Sequence, residues 1–149
     1  MAYSVYQNPE GIDWPLGFVA VPTLGTPVNI MVNVDPANNN SPENANWQTS
    51  STYTPRCHKV TFQSLKPQPA NNGMTMCTGN VDILRAPSGG AGNRTDPGAM
   101  VYVLQPGGSV TIPCDESDRA GASPYRYFLD ADVAGEGSLV TLLGCSKGG

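Results

Sequence analysis

The stretch that most constrains this chain is its last long apolar one, Tyr125 to Leu143. Two aromatic and aliphatic runs flank Ala134-Gly135-Glu136-Gly137, where glycine supplies the positive φ of a tight reversal, so the stretch reads as a β-hairpin. Its first arm alternates, with Tyr125, Tyr127 and Leu129 opposed to Arg126, Phe128 and Asp130. Its second arm, Leu139 to Leu143, is almost wholly apolar and belongs at the centre of a sheet. An arm that apolar needs cover on both faces, and the upstream chain has to supply it as a second sheet.

Upstream, short strand patterns recur between turn signals. Candidates are Leu16 to Val21, Pro27 to Asp35 (Val28, Ile30, Val32 and Val34 on one face), and Cys57 to Leu65 with Val60 and Phe62 as its buried pair. Met74 to Cys77, Asn80 to Arg85, and Met100 to Leu104 follow, the last closing a hairpin with Ser109 to Ile112 through Gln105-Pro106-Gly107-Gly108. Gly 17 and Pro 14, about a fifth of 149 residues and without a period, fit many turns. No helix pattern stands out. The expectation is a single-domain all-β sandwich, jelly-roll-like, of about eight or nine short antiparallel strands.

Within that domain, residues 16-149 form the sandwich and residues 1-15 an N-terminal arm. Tyr3, Tyr6 and Trp14 stand in the arm among Pro9, Gly11 and Pro15, a composition that lies against something, either its own domain or a neighbouring subunit. The Asn- and Pro-rich loop at 36-55 carries Trp47, either the plug that pins the loop or an anchor to a partner.

Chemistry is hard to find. The one histidine, His58, sits on a strand with Cys57 pointing to the opposite face, so no nucleophile and base pair up. No phosphate loop or G-x-S-x-G pattern occurs, and Gly89-Gly90-Ala91-Gly92 lacks the lysine of a phosphate cradle. Two acidic groups, Asp115, Glu116 and Asp118, and Asp130, Asp132 and Glu136, match no EF-hand spacing; Asp130 and Asp132 could cap a turn or pair with Arg126. Cys57, His58, Cys77 and Cys114 would have to converge from separate strands to bind zinc. The expectation is no enzyme, no cofactor and no metal, with the cysteines Cys57, Cys77, Cys114 and Cys145 as reduced buried thiols. Eight Lys and Arg scattered singly, with a net charge of -4, argue against nucleic acid. The first ten residues have neither the basic nor the apolar region of a secretory signal, and no run approaches a membrane span. Only 13% of residues are charged, which fits a surface covered by partners or one rich in Asn, Ser and Thr.

Four stretches together carry a resemblance: Lys59 to Leu65, Gly79 to Leu84, Leu104 to Ile112, and Phe128 to Gly137. In that order they are similar to head cement, or decoration, proteins of tailed bacteriophages, over roughly residues 57 to 143. The resemblance implies a structural virion protein, made in the host cytoplasm and placed on the capsid surface. It would bridge subunits of the major capsid protein, as a homo-oligomer with a trimer favoured. Tyr3, Tyr6, Trp14 and Trp47 are then the expected partner contacts, because large amphipathic rings concentrate binding energy. The alternative is a carbohydrate- or receptor-binding β-sandwich on a phage tail or fibre, presenting Trp, Tyr, Asn and Asp.

Overall fold

The computed structural model describes residues 12–33, 57–70, 73–85, 100–113 and 124–145. They form ten strands: β1 (Ile12–Ala20), β2 (Val28–Asn29), β3 (Lys59–Gln63), β4 (Leu65–Pro67), β5 (Met74–Met76), β6 (Val81–Arg85), β7 (Met100–Leu104), β8 (Ser109–Pro113), β9 (Tyr127–Ala131) and β10 (Gly137–Cys145). Two 3-10 turns, Ile30–Asn33 and Pro124–Arg126, complete the elements. One antiparallel sheet has the order β1-β10-β3-β8 and the other β2-β9-β6-β7, while β4 and β5 form a separate ladder. Apart from that ladder, every connection passes from one sheet to the other except β6 to β7, which are neighbours. Eight strands in this order are a jelly roll, so the expected fold class is the observed one.

The core lies between the sheets. In β3, Val60 and Phe62 point inward while their neighbours face out, as the period-two pattern requires. From the same sheet come Trp14, Leu16, Val19, Ile112, Val140 and Leu142; the other contributes Val81, Ile83, Leu104, Tyr127, Leu129 and Ala131. Phe62 and Tyr127 meet across the layer with ring centroids 6.3 Å apart and planes tilted by 57°. Each large side chain removed from water here contributes about 1.5–3 kcal/mol, which offsets the chain entropy lost in ordering short strands.

Several expectations need correction. The Tyr125 to Leu143 stretch is not a hairpin: β9 pairs with β2 and β6, and β10 with β1 and β3, so the turn carries the chain from one sheet to the other. The same holds for β7 and β8 around Gly107. A hairpin does form between β4 and β5: β5 lies within the expected Met74 to Cys77 strand, and β4 starts at Leu65, where the Cys57 to Leu65 strand was expected to end. β10 is central, as its apolar run demanded. The strand expected through Val34 stops after Asn29, whose side-chain Oδ1 accepts the Met31 amide at 2.9 Å and starts a 3-10 turn. Ile30 and Met31 are buried in consequence and Val32 is exposed. The arm boundary at 15 also moves, because β1 begins at Ile12 and its Trp14 is a partner of Leu142 on β10.

Candidate functional site

Four connections converge at one pole of the sandwich: 21–27 between β1 and β2, 64–80 containing the β4–β5 hairpin, 105–108 between β7 and β8, and 132–136 between β9 and β10. The last is the hub. Gly135 takes φ +85, its amide donates to the Val21 carbonyl at 2.8 Å, and the Val21 amide returns a bond to the Glu136 carbonyl at 2.9 Å. Gly137 then opens β10 so close to β1 that a Cβ there would lie 1.9 Å from the Val19 carbonyl oxygen. The preceding Glu136 side chain lies inside the protein, where it is 2% exposed.

The buried carboxylate is fully engaged. Lys66 Nζ donates to Oε2 at 2.6 Å, the Thr78 amide reaches both oxygens at 2.8 and 2.9 Å, Thr78 Oγ1 donates to Oε2 at 3.0 Å, and the Gly79 amide donates to Oε1 at 2.9 Å. Burial alone would raise its pKa, but Lys66, the two amides and the hydroxyl outweigh it and hold the group at about 2. Lys66, one-third exposed, is raised from its ordinary value by the same bond to Glu136. An acid this strong, with its lone pairs occupied, is no proton acceptor at neutral pH. It is a clamp that fixes the β4–β5 hairpin to the β9–β10 turn.

Backbone bonds complete the pole. The Ser64 amide donates to the Gly108 carbonyl at 2.8 Å, and the Ser64 carbonyl accepts the Cys77 and Gly107 amides at 3.1 and 3.2 Å. Buried Asp130 accepts the Gly25 amide at 3.1 Å, securing the first turn, and the Cys77 thiol donates to the Gly137 carbonyl at 3.4 Å. Across this fixed frame Leu24, Met74, Met76 and Val133 are exposed. The pole is thus an end whose turns are tied together by hydrogen bonds and at which four apolar side chains, two of them flexible methionines, meet solvent.

The residues singled out in the sequence fare differently. Trp14, expected as a partner contact, is 1% exposed and belongs to the core cluster, where it stands in β1 beside Leu142 of the neighbouring β10; it is a core residue, not an anchor. Tyr3, Tyr6 and Trp47 lie outside the described residues, as do Cys114 and the Asp115, Glu116 and Asp118 group. Asp130, Asp132 and Glu136 do not gather into one site: Asp130 serves the Gly25 turn, Asp132 is exposed, and Glu136 serves Lys66 and Thr78. Cys57, beside His58, sits next to the β3 end that faces Leu143, and Cys77 beside Gly137 at the other end of β10. Among the described residues no three His, Cys, Asp or Glu side chains are placed to hold a metal. Lys66 was missed, and Glu136 was weighed only as one of an acidic group and not as its partner; the available signal was a lone acid between two glycines directly before the most apolar strand. No family model, curated protein or solved structure matches the chain significantly.

Proposed function

We propose that this chain is a structural virion protein that binds the outside of a bacteriophage capsid and stabilises it by bridging major capsid protein subunits. The observation that carries the reading is the four-turn pole, immobilised around Glu136 and presenting Leu24, Met74, Met76 and Val133. A protein that must hold neighbouring capsomers together has to transmit force without deforming. A pole whose turns are cross-linked by a buried carboxylate with its half-buried lysine and by backbone bonds meets that need at little ordering cost on binding. Methionine at two of the four exposed positions lets the surface follow its target closely. The jelly roll supports the reading as a scaffold also used in capsids, although fold alone does not dictate function.

The test adds purified protein to undecorated shells of the encoding phage and measures the temperature at which they rupture. Wild-type protein raises it, and the double variant Met76→Lys/Val133→Lys, folded to the same melting temperature, does not. An unchanged rupture temperature with wild-type protein rejects the proposal. A shift of tryptophan fluorescence on saccharide titration would favour the glycan-binding alternative instead.

A further inference from the structure

The two sheets have four outer strands, and three of them are protected against pairing with another chain. β1 carries Pro15 and Asp13 and has two register irregularities, β2 is two residues long, and β8 ends in Pro113 with Ser109 and Thr111 facing water. β7 differs. Met100-Val101-Tyr102-Val103-Leu104 holds no charge and no proline, and it pairs with β6 alone among the described residues. Its one irregularity falls between Tyr102 and Met100, leaving Tyr102 to Leu104 regular. Tyr102 and Val103 are each 45% exposed, although both residue types favour strand interiors.

We infer that β7 is an association edge, and that its occupant is β7 of a second copy, paired antiparallel about a two-fold axis to join two four-stranded sheets into one of eight strands. Three features select a second copy. An antiparallel edge is self-complementary under two-fold symmetry, since each unpaired amide meets a carbonyl of the same strand in the partner. The residues brought together are β-branched and aromatic, the pairs that stabilise cross-strand contact. Copies of a chain with net charge -4 repel each other in general, yet neither β7 nor the following Gln105 to Gly108 turn carries a charge, so this edge can approach its own image. One ladder of this length buries less than a standard interface, so the pair is weak and concentration-dependent. The inference is independent of shell binding and holds for the purified chain alone.

Sedimentation equilibrium of the full chain between about 5 and 500 µM tests it, at concentrations chosen for a weak pair. The expected result is a monomer–dimer equilibrium. Val103→Lys and Val103→Glu should each weaken dimerisation at least about tenfold, because like charges then face each other across the axis. Mixing the two variants should restore a heterodimer. Val103 is exposed but stands opposite Asp82 on β6, so each variant is first shown to unfold cooperatively well above the assay temperature, and a charge-neutral Val103→Thr control dimerises. A wild-type chain that stays monomeric throughout overturns the inference. So does a dimer indifferent to both substitutions, a stoichiometry other than two, or a mixture that remains monomeric.

Discussion

Replacing Glu136 with glutamine removes one charge and almost no volume, and the structure sets the cost. A carboxyl held at about 2 against an ordinary 4.5 is stabilised in its ionised form by about 3 kcal/mol, at about 1.4 kcal/mol for each tenfold change in proton affinity. The amide also turns an N–H toward Lys66 Nζ and Thr78 Oγ1, two donors that now compete with it. The expected loss is therefore about 3 kcal/mol at neutral pH, or about 6–12 °C in melting temperature for a chain of this size. The sign with pH follows from the depressed value. The contribution is fully present above about 4.5, where the unfolded carboxyl is also ionised, and is lost as pH falls through about 2. Urea unfolding of wild type and Glu136→Gln at pH 7, 4.5 and 2 should show a gap that is constant between the first two and much reduced at the third. A gap under about 1 kcal/mol at pH 7, or one that widens in acid, would refute the clamp.

Other perturbations probe the cation of the clamp, the glycine turns and the core one at a time. Lys66→Met leaves the buried carboxylate without its cation, so acid unfolding followed by circular dichroism should begin at higher pH than in wild type. Gly137→Ala should prevent β1 from docking on β10 and give little folded protein, whereas Gly135→Ala, with open space around the site but φ +85, should cost only about 1 kcal/mol in urea unfolding. Trp14→Ala should destabilise the sandwich by about 3–5 kcal/mol, measured the same way; a change confined to partner binding would return Trp14 to the surface.

What the sequence made legible follows from the range of the interactions. Val60 and Phe62 alternate with polar neighbours, and period two is a local property, so β3 and its inward face were readable directly. The apolar run of β10 announced a central strand because no solvent-facing stripe exists in it. The turns at Gly107 and Gly135 were equally plain, yet turn chemistry reports only that the chain reverses. Whether the flanking strands pair or part company between two sheets depends on partners such as β1 for β10 and β2 for β9, which no local pattern encodes. At Asn29 a short polar side chain captured the Met31 amide and ended an alternation that looked like strand. Glu136 was hidden for a similar reason: its partners Lys66, Thr78 and Gly79 lie 57 to 70 residues away, and their convergence is a product of the finished jelly roll. For Trp14 the composition left its own domain and a neighbouring subunit both open, and the resemblance chose the partner; in the fold Pro15 is accommodated on an outer strand beside a bulge at Gly17, so Trp14 enters the core.

The proposed docking on a capsid is read most directly by co-sedimentation of the purified protein with mature, undecorated bacteriophage shells. Saturable binding at a fixed ratio to major capsid protein subunits is expected, abolished by Met76→Lys/Val133→Lys and retained by Val103→Lys. Protein left in the supernatant at every concentration would contradict it.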